Sequence, residues 1–547
     1  MCKTYLKNYL KIEGAKIIMK ALITFLILIT TIDVASAQVL QEWIAIYSDQ
    51  FTDEAISMVV DDSGNLFVTG SSYGNGFDYA TVKYNSSGVQ QWVAKYEDFG
   101  NDYACSIALD DSGNVFVTGS SYGNGGYDYA TMKYNSSGVL KWVVKYSGPG
   151  NEHASSIAVD DSSNVFVTGL SYGSGTEYDY ATIKYNSSGV VQWIARYNNL
   201  TTYNSYDAAY QVKLDDSGNV YVTGMSSGNG TQYDYATVKY NSSGIQQWIM
   251  RYDCAGFYDE PASMVVDGSG NVFVTGESRD SGGHTGYATI KYNSSGVQQW
   301  AARYSDGVAK SITLDDSGNV YVTGLGYTDE SSGDYVTIKY NSSGYQLWIA
   351  RYHGPGNYYD IAHSIAVDRS GGVFVTGQSV GSGGDYDYAT IKYNSFGAQQ
   401  WIARYNGPGN DYDNANSIAL DRSGNVYVTG RSYGSGTGFD YATIKYSQPT
   451  GINQISSMIQ TDFNLSQNYP NPFNPTTSIE FSLPEKSQVK LKVFDITGKE
   501  VAELVNENLP AGIFRYEFNA VHLSSGLYLY KLETEKFSET KRMVVLK

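Results

Sequence analysis

Apolar and polar positions alternate in short runs along most of the chain, and the runs return in a fixed order. In the copy from Ala154 to Tyr197 they read SIAVD, NVFVTG, YATIKYN and VVQWIARY. Each run is rich in Val, Ile, Thr, Tyr or Phe and is bounded by Gly, Asn, Asp or Ser, which predicts four strands, A to D. No segment of the repeated region has a helical period, so a helical solenoid is excluded. DDSGN or DSSN joins A to B, and NSSG joins C to D. These are tight turns whose Asn, Asp and Gly accept positive φ. In strand D the alternation puts Trp193, Ala195 and Tyr197 on one face, and Gln192, Ile194 and Arg196 on the other. Each indole is therefore expected to pack on the next unit, burying on the order of 200 Å².

The order of the anchors predicts the architecture. VTG begins at Val68, Val117, Val167, Val222, Val274, Val322, Val375 and Val428, and each copy is followed by YATxKY or, at Tyr335, YVTIKY. Eight tryptophans from Trp43 to Trp401 recur about every 51 residues. Four antiparallel strands per unit, repeated at such a period, predict an all-β fold of β-propeller blades. The units are out of phase with the chain: it opens on a lone D strand, Glu42 to Tyr47, and ends on an A–B–C set, Ser417 to Tyr446. Pairing the first strand into the last unit removes the open edge. Eight blades over 38–446, closed by the N-terminal strand, are therefore expected; an open β-solenoid would leave the offset unexplained.

The D-x-SGNVYVTG and YATIKYN pattern resembles the bacterial SBBP (seven-bladed β-propeller-type) repeat family and, more distantly, NHL-type propeller repeats. The resemblance covers about three quarters of the chain. It implies seven blades where the count gives eight.

The two ends differ from the repeats. Lys20, the apolar run Ala21 to Ile32 and Ala35-Ser36-Ala37 read as a signal peptide over 1–37, cleaved after Ala37, with Met19 as a second candidate start. The apolar run is too short to span a bilayer, and no other run is long enough. Residues 447–462 break the pattern and read as a linker. In 463–547, six alternating runs predict a small Ig-like β-sandwich: Ser478–Leu483, Val489–Phe494, Glu500–Val505, Gly512–Phe518, Gly526–Leu532 and Lys541–Leu546. This tail resembles the type A C-terminal sorting domain of the type IX secretion system. The resemblance rests on Asn468–Pro475 (NYPNPFNP), Val493–Gly498 (VFDITG), Leu509–Gly512 (LPAG), Ser525–Tyr528 (SGLY) and Lys541–Lys547 (KRMVVLK). It implies the type IX machinery as partner, passage through the outer membrane of a Bacteroidetes-like bacterium, removal of the tail, and surface attachment or release.

Charge and composition narrow the functions. A net charge of −18 argues against nucleic acid, which calls for a basic patch. Cys105 and Cys254 sit at unlike places in their repeats, so a disulfide framework is not expected. The five His occupy unlike positions, and no HExxH, GxSxG or phosphate loop occurs, so no catalytic residues are assigned. Paired carboxylates such as Asp259-Glu260 or Asp411/Asp413 leave a glycosidase as the alternative. Strand A ends in Asp in every copy (Asp61, Asp110, Asp160, Asp215, Asp267, Asp315, Asp368, Asp421), read as a turn cap, with a ring holding Ca²⁺ as the other reading. No other cofactor or metal is expected.

The A–B and C–D turns barely vary, whereas the B–C and D–A loops vary in length and are dense in Tyr, Asp, Asn and Gly. Variable loops on a constant scaffold are where binding is built. Tyr offers a flat apolar ring with a polar tip. The expected ligand face comprises Asp102, Tyr103, Tyr122 and Asp128, then Tyr172, Tyr203, Tyr206 and Tyr258, and finally Tyr358, Tyr359, Asp360, Tyr412 and Asp413. The expected function is that of a secreted or cell-surface binding module for a polysaccharide or a protein. The alternatives are a polysaccharide-acting propeller enzyme and a purely structural or adhesive surface protein.

Overall fold

The computed structural model describes residues 39–546 apart from 50, 124, 174–175, 200–205, 229–231, 329–330, 357, 448–451, 457–460 and 521–522. The leader with its cut after Ala37, and Tyr203, lie outside the described residues. Among these, every regular element is a β-strand, and no helix is long and apolar enough to cross a membrane. The chain divides into two compact units, one over Val39–Gln448 and one from Pro449 onward.

In the first unit each repeat is a four-stranded antiparallel sheet. One runs Glu152–Val159, Val165–Tyr172, Tyr178–Tyr185 and Val191–Tyr197, paired in sequence order. Seven sheets are built this way from consecutive strands. An eighth joins Asp413–Leu420, Val426–Gly434 and Gly438–Ser447 to the first strand of the unit, Leu40–Tyr47, with Ile44 opposite Ile444. Strand A of each sheet packs on strand A of the next, and Asp53–Val60 packs on Asp413–Leu420.

The repeated letters are explained by contacts within and between sheets. Strand A carries a bulge after its Ala, for example between Ala104 and Ser106. The bulge drives a carbonyl toward the Gly of VTG: a Cβ on Gly119 would lie 2.0 Å from Tyr103 O. Only Gly fits there. The two Thr hydroxyls of strands B and C meet across the ladder, Thr69 and Thr81 at 3.0 Å. The first Tyr of YAT is fully buried and donates to a carbonyl of the following sheet: Tyr79 to Ala130 at 3.2 Å, Tyr129 to Ala181 at 3.2 Å, and Tyr180 to Ala236 at 3.1 Å. Tyr441 donates likewise to Ala80 O at 3.1 Å, from the last sheet to the first.

The indoles join the sheets at their other end. Trp43, Trp92 and Trp142 donate to Ser86, Ser136 and Ser187 carbonyls in NSSG turns of the following sheet, at 3.1–3.2 Å. The Gly of that turn has positive φ and lies flat on the ring, with a Cβ on Gly138 falling 2.6 Å from Trp92. Trp401 breaks the pattern: its Nε1 is buried with no acceptor among the described residues. The following sheet is the one completed by Leu40–Tyr47, so strands C and D there are not joined by an NSSG turn.

The second unit is a sandwich of two four-stranded sheets. One orders Ile452–Ser456, Gly512–Asn519, Thr476–Leu483 and Asn464–Leu465; the other orders Glu500–Leu509, Ser487–Asp495, Gly526–Glu533 and Ser538–Val545. Phe473, Phe481, Leu491, Tyr530 and Met543 fill the core between them. Ile452–Ser456 corrects the reading of 447–462 as a linker throughout, because these residues pair with Gly512–Asn519 and cover its free edge. The NYPNPFNP stretch is pinned to the last strand. Phe473 N–H donates to Val544 O at 3.0 Å and Leu546 N–H to Phe473 O at 2.9 Å, while Asn468 Nδ2 donates to Pro470 O and Thr477 Oγ1.

Candidate functional site

The two ends of the repeat unit use similar residues differently. At the turn end, Asp160 Oδ1 accepts the N–H groups of Ser162 and Asn164 at 3.0 and 2.8 Å, and its Oδ2 accepts Asn164 Nδ2 at 2.8 Å. Asp61, Asp110, Asp215, Asp267, Asp315 and Asp421 bond their turns in the same way. Asp368 does so through Ser370 and Gly372. Burial pushes the Asp110 carboxyl up, but the Asn114 and Ser163 donors outweigh it and hold the group below its ordinary value. These carboxylates are engaged by their own turns.

At the loop end, strands A and B run further than their sequence suggests. Asp102 and Tyr103 open the strand Asp102–Leu109, Tyr122 closes Val115–Tyr122, Asp128 is the second residue of Tyr127–Tyr134, and Tyr172 closes Val165–Tyr172. Three of the expected ligand-face carboxylates are corrected by this. Asp102, Asp360 and Asp413 are fully buried. Asp102 Oδ2 accepts Asp98 N–H at 2.8 Å; Asp360 accepts Gly354 and Val380 N–H at 2.6 and 3.0 Å; Asp413 accepts Gly407 and Tyr433 N–H at 2.6 and 3.0 Å. They clamp the D–A loop to strands A and B and present no exposed oxygen to an outside ligand. Burial is the main cause that pushes all three carboxyls above their ordinary value. Asp128 is half-buried.

The tyrosines are arranged otherwise. Tyr172, Tyr178, Tyr206, Tyr233 and Tyr258 form one run of rings whose successive centroids are 5.5, 5.4, 6.1 and 5.8 Å apart, all edge to face. A second run goes from Phe51 through Tyr73, Phe77, Tyr103 and Tyr127 to His153, with Tyr122 packed on Tyr127 at 5.3 Å. Elsewhere Tyr359 meets Tyr327 at 6.4 Å and Tyr412 meets Tyr386 at 5.7 Å. Exposure is 37% at Tyr103, 42% at Tyr122, 62% at Tyr358 and 52% at Tyr412. Such rings keep a free edge or face for an apolar ligand surface. Phe77, Tyr127, Tyr178 and Tyr233 were not among the expected residues. Their signal was an aromatic residue two places before the Tyr of YAT, repeated from unit to unit.

The first run leads into a cavity of about 180 Å³ lined by Tyr210, Glu260, Pro261, Glu277, Val308 and Lys310. Glu260 accepts the Tyr210 hydroxyl at 2.7 Å and also the hydroxyl of Tyr258, the last ring of the run. Burial, and then the Glu260 charge and hydrogen bond, push the Tyr210 and Tyr258 hydroxyls well above their ordinary value, so both remain donors. Of the carboxylate pair Asp259-Glu260, Asp259 is fully buried and Glu260 lines this cavity.

Residues 42–78, 91–127, 348–384 and 400–436 match the SBBP β-propeller repeat model. Residues 467–546 match the secretion system C-terminal sorting domain. No curated protein matches. Among solved structures, the chain is similar to a fungal alcohol oxidase of the AA5 family in complex with copper, at 12% identity and TM-score 0.37, covering 93% of this chain and 100% of that one. It is similar to an ulvan lyase of polysaccharide lyase family PL25, at 10% identity and TM-score 0.39, covering 74% and 95%. It is also similar to the β-propeller domain of the Trilobed protease from Pyrococcus furiosus, at 9% identity and TM-score 0.36, covering 65% and 98%. The chain carries SBBP-type β-propeller repeats and ends in a type IX sorting domain, which indicates secretion or cell-surface placement.

Proposed function

We propose that the eight sheets are the blades of one propeller closed by Leu40–Tyr47, and that its loop end binds a polysaccharide outside the cell. Closure is supported by the pairing of Leu40–Tyr47 with the last C strand and by the Tyr441–Ala80 bond that repeats the contact made between consecutive sheets. The observation that carries the binding role is the run of five tyrosine rings from Tyr172 to Tyr258. Sugars present C–H faces that pack on aromatic rings and hydroxyls that bond phenol tips. A run of rings separated by single contact distances suits an extended polymer better than one small molecule. Surface attachment or release after export follows from the same sorting tail.

The role is one of binding without catalysis. The cavity with Glu260, Glu277 and Lys310 favours the second reading, a polysaccharide-acting enzyme, because carboxylates and an amine meet there. Affinity electrophoresis of the purified chain through gels containing different polysaccharides separates the two. Retarded migration with no new reducing ends is the expected result. Released reducing ends would replace binding by catalysis, and unretarded migration in every gel would leave a protein partner or a structural role.

A further inference from the structure

We propose that Asp234, Asp253 and Asp259 form a binding site for a hard divalent cation of the calcium class. The argument begins with a comparison of sheets within the chain. Strand C begins near a buried Asp, and the residue just after strand D lies beside it. In one sheet that residue is Asn198, whose Nδ2 donates to Asp179 Oδ1 at 2.7 Å. In another it is His353, whose Nδ1 lies 2.9 Å from Asp334 Oδ1. In the sheet of Asp234 the counterpart is Asp253, whose side chain carries no N–H donor.

Asp234 is only 4% exposed. Its Oδ2 takes Arg251 Nε and Nη2 at 3.2 and 2.7 Å, but its Oδ1 is buried with no hydrogen-bond partner among the described residues. That atom occupies the place that Asn198 and His353 serve in the sister sheets, so it is directed at Asp253. Asp259, fully buried, adds a third carboxylate. One oxygen from each lies within 4.8 Å of one from each of the others. Oxygens bound at about 2.4 Å to a single ion are at most about 4.8 Å apart, the limit these three satisfy. Among the described residues Arg251 is the guanidinium that hydrogen-bonds one of the three carboxylates, while Arg303 donates to Ser278 and Cys254 Sγ. A buried oxygen with neither donor nor cation is costly, and a hard cation would satisfy it. Asp253 is exposed and gives the ion its entry path. A bound cation would tie the Asp253–Tyr258 loop to strand C and so fix Tyr258, the last ring of the run.

The test is calorimetric titration of the full, chelator-treated chain with Ca²⁺ alone, alongside thermal unfolding with and without the ion. The expected result is binding with Kd on the order of 10⁻⁴–10⁻³ M, typical of extracellular calcium modules, and a rise in Tm. Asp253→Asn should abolish both effects. Its calcium-free Tm should equal or exceed that of the wild type, because Asn can donate to Asp234 Oδ1 as Asn198 does to Asp179. Asp111→Asn, at an exposed carboxylate of the turn end, should leave both effects intact. No heat or Tm response in the wild type, or a response that persists in Asp253→Asn, overturns the site.

Discussion

The two ends of the repeat unit draw on one vocabulary of Asp, Asn, Gly and Tyr, yet put it to different uses. At the turn end the Asp that ends each strand A is taken by its own turn, and the turn Gly of NSSG lies against an indole of the neighbouring sheet. At the loop end Asp360 and Asp413 are occupied through both oxygens, whereas Asp102 and Asp234 each keep a buried oxygen without a partner among the described residues, and several aromatic rings stay exposed. Composition alone therefore does not mark a binding surface. What marks it is a side chain whose packing is incomplete, and here those are the exposed tyrosines.

The largest effect is expected where a repeated letter is forced by contact. In Gly224→Val the new Cβ would fall 2.0 Å from Ala208 O, and urea unfolding should record a loss of about 3 kcal/mol or more. Gly383→Val at the loop end, where nothing lies within 4 Å, should change stability by no more than about 0.5 kcal/mol. Equal losses at the two would erase the distinction between scaffold and surface.

Next comes Tyr180→Phe, which deprives buried Ala236 O of a 3.1 Å donor and should cost about 1–3 kcal/mol. Tyr358→Phe, at a ring 62% exposed, should be silent in the same denaturation.

A pH effect sharpens the comparison of carboxylates. Burial is the main cause that holds Asp53 up at about 6, against the Ser72 and Asp49 donors. An unfolded Asp titrates near 4. Between about pH 4 and 6 the folded chain therefore holds a proton that the unfolded chain has released, so stability from this group falls as pH rises through that window. Asp53→Asn should flatten this slope and raise stability at pH 7, read by thermal unfolding across the pH range. An unchanged slope would show that the clamp carboxylate is already ionised.

The smallest expected effect separates two tryptophans. Trp348 donates to Ser395 O at 3.0 Å, whereas Trp401 Nε1 has no acceptor among the described residues. Trp348→Phe should therefore cost about 1 kcal/mol more than Trp401→Phe. A reversed order would place an unseen acceptor at the join between the last C strand and the first strand.

Much of this was legible in the sequence. Alternation and turn chemistry, written repeatedly, gave strands A to D and the Asp caps, and the phase offset pointed to the pairing of Leu40–Tyr47 with the last C strand. The loop end was harder to read. Asp102 and Tyr103 look like loop residues beside Gly and Asn, but the bulge after Ala104 resets the register and lets the ladder continue through them. A buried clamp and a ligand-facing Asp are the same letter, and only burial tells them apart. Phe77, Tyr127, Tyr178 and Tyr233 were hidden because each is unremarkable alone and acts only as one of a run across sheets. Ile452–Ser456 reads as polar linker because its partner strand, Gly512–Asn519, lies far along the chain.

The most direct test of the account compares exposed aromatics at the two ends in one affinity-electrophoresis gel. Tyr172 and Tyr258 changed together to Ala remove the two end rings of the run at the loop end; Tyr345 and Phe396 changed to Ala remove exposed rings, 73% and 84% accessible, from the turn end. The account predicts that retardation by the bound polysaccharide falls about tenfold or more in the first variant, the loss of some 1.4 kcal/mol expected when stacking rings are removed. It predicts an unchanged value in the second, with both unfolding like the wild type. Retention of binding in the first variant together with its loss in the second would contradict the account and move the binding surface to the turn end of the repeat unit.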